Sequence, residues 1–203
     1  MQHKIILASE SPARLQLLSI IGVKDITIQP ANIDEEPLKN EPPHKLASRL
    51  AKEKALKIAS QANKAIIIAA DSVVCVGTRI LPKALTDEDV RYCLSLLSGR
   101  RHKVITAVTI IDSESQIIRS KIAEAIIKFK RMTSEEIEYY ISTKEGINKA
   151  GGYAIQGSVQ SFIPFLQGQV STVIGLPLYE VKNMLLSFGY KFSEGKNGRT
   201  FQV

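Results

Sequence analysis

The residues of this chain best placed to do chemistry are charged or polar groups standing where apolar ones belong. Asp71 follows Ala65-Ile66-Ile67-Ile68-Ala69-Ala70, a run that reads as a strand buried on both faces. An ionisable carboxylate delivered to the end of such a strand needs a reason beyond packing, and a hard-metal site is one. Left unpaired there it is costly, so neutralising it is expected to raise the melting temperature. Ser9 and Ser11 lie in LASESPARLQLL, residues 7–18, between the end of one strand and a helix that Ser11-Pro12 opens as N-cap and first residue. Ligands of open α/β sheets bind at such junctions, and the free N–H groups there suit an anion. Arg14 falls in the first turn, where a cation opposes the helix dipole, yet it shares a stripe with Leu17, Leu18 and Ile21 and so points inward. That placement asks for a negative charge. The plainer alternative is a capping serine with an arginine snorkelling at the sheet edge.

Lys54 poses the same question. It is four residues from both Leu50 and Ile58, on the apolar stripe of its helix, whereas Lys45, Lys52 and Lys57 fall elsewhere. Either it snorkels to the surface or it stretches along the end of the sheet toward the same anion. Lys83, by itself, reads as a loop lysine. The group Asp34-Glu35-Glu36 reads as a solvated loop or helix start, or else joins Asp71 in a site for a hard cation, magnesium or manganese.

Positioning these groups requires alternating strands and helices. Strands are predicted over 4–8, 25–29 and the residues before Asp71. Helices are predicted from Ser11 to Gly22, over 43–61, over Thr86–Leu97 with a stop at Gly99, from Thr133, and from Pro177 to Gly189. Between His102 and Lys130 the pattern is long and β-branched. The outcome is an α/β protein with a mixed sheet flanked by helices, one domain over residues 1–203.

Bulk properties exclude several classes. No segment approaches a membrane span, and Ile5-Ile6-Leu7-Ala8 is too short for the core of a signal peptide, so a cytoplasmic protein is expected. Cys75 and Cys93 have neither metal spacing nor a disulfide pattern. A formal charge of +7 suits a polyanionic partner, but with 6% aromatic residues and no Trp, base-stacking platforms for nucleic acid are poorly supported. Neither a P-loop nor a dinucleotide fingerprint is present. Any catalysis must therefore rest on carboxylates, cations and backbone donors.

Taken together, LASESPARLQLL, IDEEP, RLAKEKA, AADSVV, LSGRRHKV and NKAGGYAIQGSVQSFI…STVIGLPLYE resemble the sequence blocks of the Maf family of nucleotide pyrophosphatases, in the family's order from residue 5 to about residue 186. The resemblance implies an elongated mixed sheet with two lobes around a cleft, distantly related to inosine triphosphate pyrophosphatases. It implies hydrolysis of a nucleoside triphosphate to the monophosphate and pyrophosphate with a divalent cation, Mg²⁺ or Mn²⁺, by a cytoplasmic and often dimeric protein. By position, Asp71 matches the proton acceptor and Glu35 an acidic residue near the metal. Ser9, Arg14, Lys54 and Lys83 match the triphosphate-binding groups. Gln156 matches a residue bearing on substrate choice, in a stretch whose Gly151 and Gly152 let the backbone come close to a ligand. The family is also associated with arrest of cell division and with keeping non-standard nucleotides out of nucleic acids. A non-catalytic nucleotide- or partner-binding regulator is the alternative class.

The chain departs from the family pattern at named positions. Ala13 stands where arginine is usual, Ser72 where threonine is common, and Pro82-Lys83-Ala84 replaces Gly-Lys-Pro. The blocks resemble the dTTP/UTP branch more than the 7-methyl-GTP branch. Losing a five-donor guanidinium at position 13 should weaken discrimination among bases, and Ala13→Arg should sharpen it. Rates across a nucleotide panel check this; an unchanged profile in the variant would show that position 13 does not set the preference.

Overall fold

The computed structural model of the protein describes residues 4–192. Strand β1 (Lys4–Leu7) runs parallel to β2 (Ile26–Ile28) on one side and to the start of β3 (Ala65–Val76) on the other, with Leu7 opposite Ile68. The three-residue β4 (Arg79–Leu81) folds back antiparallel onto the far end of β3, from Val74 to Val76. β5 (Arg101–Asp112) pairs with β3 from Ile66 to Cys75, then β6 (Ile118–Lys128) and β7 (Phe165–Gln167) continue the sheet in antiparallel order. The result is a seven-stranded mixed sheet, ordered β2-β1-β3-β5-β6-β7 with β4 attached to β3.

This connectivity leaves a notch. Because β5 occupies one edge of β3, β1 and β4 must share the other. β1 ends its pairing where the Ala8 amide donates to the Ile68 carbonyl at 2.8 Å, and β4 begins at Val74. Residues 69–73 of β3 face the gap between them, and Asp71 is at its middle. The carboxylate is therefore not at the end of its strand, as the apolar run suggests. The strand continues through Val73-Val74-Cys75-Val76, a second β-branched run beyond the charge.

Successive residues of β3 point to opposite faces. On one face, Ile67, Ala69, Val73 and Cys75 pack under α2 (Pro43–Ala59), against Ala55, Ile58, Leu46 and Leu50. On the other, Ile66, Ile68 and Ala70 pack with Leu17 and Leu18 of α1 (Pro12–Ile20) and with residues of α6 (Leu178–Ser187). Val74 belongs instead to a separate cluster, formed with α3 (Asp87–Leu97) and α4 (Ser134–Ser142). The core on that face thus divides on either side of residue 72. Capping boxes Thr86/Asp89 and Thr133/Glu136 start α3 and α4, as their sequences predict. Cys75 and Cys93 are free and buried. Among the described residues no helix is long and apolar enough to cross a membrane.

The elements not predicted are short: β4, β7, the helix α5 (Val170–Ile174) and a 3₁₀ turn at Ser158–Phe162. Segments of three to five residues carry little periodicity and form by docking. Gly151 and Gly152 have a packing reason of their own. Both have positive φ, and a Cβ at Gly151 would lie 2.8 Å from the Val74 side chain, one at Gly152 3.0 Å from Cys93. On the Cβ side each packs closely against the protein's own β3 or α3. The loop they open is anchored further on, where the Ala154 amide donates to the Tyr140 hydroxyl at 3.0 Å and Tyr153 pairs with His102 at 2.8 Å.

His102 is 2% exposed, and burial pushes its imidazole down from 6.5 to about 4. The unfolded chain therefore binds a proton below pH 6.5 that the folded chain refuses until about pH 4. Stability is full above the upper value and declines as pH falls between the two, by roughly 3 kcal/mol in all. Urea unfolding at pH 7 and pH 4.5 should show the decline, and His102→Gln should flatten it; an equal slope in the variant would refute the assignment.

Candidate active site

Lys54 lies at the centre of the arrangement. It is buried on α2, its residue only 8% exposed, so it does not snorkel. Its Nζ lies 2.6 Å from Asp71 Oδ1 and 2.7 Å from Glu35 Oε1. One ammonium thus draws together a carboxylate on the central strand and another on the segment between β2 and α2. The expectation of an unpaired Asp71 is corrected here: the charge tolerated in the strand is tolerated because α2 delivers its counter-charge. Burial is still the largest influence on Asp71 and raises its carboxyl pKa, opposed by Lys54 and Arg14.

The segment bearing Glu35 is itself held to α2. Arg49 makes a two-pronged bond to Glu41 at 2.8 and 2.9 Å and donates to the Glu36 carbonyl at 3.0 Å. Lys57 donates to the Asn32 carbonyl. Sequence reasoning missed Arg49. The only signal was a long cation on the loop-facing side of α2, five residues before Lys54.

On the other side of the notch stand Ser9 and Arg14. Ser11 caps α1, accepting from the Arg14 amide at 3.4 Å. Ser9 Oγ accepts from the Ser11 amide at 3.2 Å and from Arg14 Nη1 at 3.0 Å. With both lone pairs engaged, the Ser9 hydroxyl proton is left to donate outward. Arg14 Nε donates to the Gly175 carbonyl at 2.9 Å. Burial lowers the Arg14 pKa, and the negative charges of Asp71 and Glu35 oppose that shift. The inward arginine therefore faces real carboxylates. A hydroxyl donor, an oriented guanidinium and the first turn of a helix converge beside two carboxylates, an arrangement suited to an anionic ligand that also carries a cation.

Ala13 occupies the second position of α1, beside Arg14, and is partly buried. Ser72 points to the face opposite Asp71, where its hydroxyl meets Thr106 at 2.8 Å. Lys83 is exposed and forms a bridge with Ala150; Gln156 is exposed in a turn. Neither side chain makes an ion pair or hydrogen bond among the described residues. Lys83 follows β4 at the far end of the notch, across from Ser9 and Arg14. Backbone bonds tie its neighbours to the glycine loop: Gly151 to the Pro82 carbonyl at 3.0 Å and Ala84 to the Lys149 carbonyl at 3.0 Å.

The donor set offers a hard divalent cation two carboxylates, Glu35 and Asp71. Both converge on the Lys54 ammonium, while no group of three or more His, Cys, Asp or Glu able to hold a metal occurs among the described residues. A cation at Glu35 and Asp71 would take its remaining ligands from water and phosphate oxygens, as magnesium does.

Comparison with known proteins adds independent findings. The family described as Maf-like protein matches residues 4–188. A nucleoside triphosphate pyrophosphatase of Rickettsia rickettsii is 53% identical over 192 residues, covering 93% of this chain and 89% of that one. One from Orientia tsutsugamushi is 51% identical over 189 residues, covering 92% of each. Among solved structures, a HAM1 protein from Coxiella burnetii aligns with a TM-score of 0.49 and 14% identity, covering 92% of this chain and 100% of that chain.

The shared ammonium generates a stability prediction. Lys54→Met leaves Asp71 buried and unpaired and should cost about 3 kcal/mol, the usual cost of breaking a buried pair. Asp71→Asn should cost less, because Lys54 keeps Glu35. Adding Asp71→Asn to Lys54→Met should recover part of the loss. Urea denaturation of the three variants measures this; a double variant no more stable than Lys54→Met would mean the two groups are uncoupled.

Proposed function

This chain belongs to the Maf family, and from that premise we propose that the notch is the site where a nucleoside triphosphate is cleaved to the monophosphate and pyrophosphate. The reaction is hydrolysis of an acid anhydride. The observation that carries the reading is the convergence of Asp71 and Glu35 on Lys54, beside the Ser9–Arg14 pair.

In this reading the triphosphate lies along the notch. Ser9 donates its hydroxyl proton to a phosphate oxygen, Arg14 presents its remaining guanidinium N–H groups, and the first turn of α1 adds its dipole. Lys54 and Lys83 offset charge that develops on the leaving pyrophosphate. Asp71 accepts a proton from the water that attacks the α-phosphorus in line with that leaving group. Its raised pKa, from burial, makes it a better acceptor than a solvated aspartate. Glu35 and Asp71 would hold Mg²⁺ or Mn²⁺, which when bound supplies Lewis-acid neutralisation of the phosphate oxygens. The substrates we propose are dTTP and UTP or related modified nucleotides, with selectivity relaxed by Ala13 and influenced by Ser72 and Gln156. The cellular role we propose is clearance of unwanted nucleotides, with any effect on cell division following from it.

Incubation with a nucleotide panel and magnesium or manganese should yield pyrophosphate, and EDTA should abolish turnover until metal is restored. Orthophosphate as first product, or full activity in chelated buffer, would overturn this mechanism. Asp71→Asn should lower kcat by about two to four orders of magnitude while nucleotide binding persists. A near-normal kcat would remove Asp71 as the base.

A further inference from the structure

Thr106 is a fully buried hydroxyl in the middle of β5, and nothing in the mechanism above uses it. Its Oγ1 lies 2.7 Å from the Thr172 carbonyl and 2.8 Å from Ser72 Oγ. A carbonyl cannot donate, so the single Thr106 proton goes to Thr172, and Ser72 must donate to Thr106. The chain of bonds therefore has one direction, from β3 through β5 into α5.

Thr172 belongs to the short α5, which ends at Gly175, and the Gly175 carbonyl holds Arg14 Nε at 2.9 Å. Gly175 has φ +120°, and a Cβ there would sit 3.3 Å from Ser72 Oγ and 3.4 Å from Arg14 Nε. The turn after α5 is thus wedged between the two side chains with its carbonyl aimed at one of them. A five-residue helix has too few internal bonds to fix its own place. Thr172 has no other tether through its side chain, since its own hydroxyl is buried without a partner among the described residues. The bond from Thr106 is a side-chain hydrogen bond joining the sheet beneath the notch to this helix.

We propose that Thr106 is a positioning residue: by holding α5 through the Thr172 carbonyl, it sets the Gly175 carbonyl that orients the Arg14 guanidinium toward substrate phosphate. The proposal rests on the reading of Arg14 as a phosphate ligand. A corollary concerns Ser72. Its proton is committed to Thr106, so it faces the Arg14 side as an acceptor only and cannot donate to a phosphate oxygen.

The test compares Thr106→Val, Thr106→Ser and Arg14→Lys with Thr109→Val. Thr109 is another buried β5 hydroxyl, bonded to Ser120 at 2.8 Å, and Thr109→Val controls for the stability cost of losing such a group. At a temperature where all are folded, Thr106→Val should lower kcat/KM about 10- to 100-fold, mainly through KM. Thr106→Ser should restore most of it, and Thr109→Val should turn over normally. In an Arg14→Lys background, Thr106→Val should add little. If Arg14→Lys raises KM but Thr106→Val does not, or if Thr109→Val loses as much activity as Thr106→Val, the positioning role is overturned and the Arg14 reading stands. If Arg14→Lys leaves KM unchanged, both fall together.

Discussion

A charge in the central strand of a sheet is tolerable only if its counter-charge is built into the fold, and here that counter-charge is Lys54. Desolvating Asp71 in the core without a partner would cost several kcal/mol. α2 removes that penalty by placing a lysine on its apolar stripe, where an aliphatic residue would pack better. The same ammonium draws in Glu35 from a segment that has no regular structure of its own. Arg49 and Lys57 complete the arrangement by fastening that segment to the same helix. Both acidic groups of the proposed site thus depend on α2, although neither belongs to it.

The second constraint is topological. A strand of twelve residues that meets one neighbour along its length and two short neighbours on its other edge must expose a gap between those two. Ser9 and Arg14 follow the strand that ends on one side of the gap, and Lys83 follows the strand that ends on the other. The division of the core at residue 72 supports the same geometry. Helices α1 and α6 cover one half of the face, and α3 and α4 cover the other. No loop of unusual length is needed to make the opening.

Most of this arrangement was legible in the sequence where periodicity or capping had time to declare itself. Ser11-Pro12, Thr86 and Thr133 mark helix starts that the structure contains, and Lys54 stood out because its neighbours four residues away are apolar. Asp71 is conspicuous because it interrupts an apolar run, but its neutralisation by a lysine seventeen positions earlier depends on tertiary packing. The parts that could not be read depend on partners far along the chain. Gly175 meets Arg14 across 161 residues, and Thr106 meets Thr172 across 66. Three-residue β4 and β7 exist only because a longer strand offers them an edge. Gly151 and Gly152 are legible as positions of close approach, and their Cβ sides meet Val74 and Cys93, partners distant in sequence.

The two proposed acidic groups stand on parts of the molecule with different opening free energies. β3 is hydrogen-bonded to β5 from Ile66 to Cys75 and buried on both faces, the features of a segment with a high opening free energy. The Glu35 segment has no ladder of backbone bonds and is fastened by a few long side chains, the features of a segment with a low one. Asp71 is thus held by the sheet itself, whereas Glu35 is held by side-chain bonds from α2. One carboxylate of the pair is therefore built into the backbone ladder, and the other is pinned from outside it.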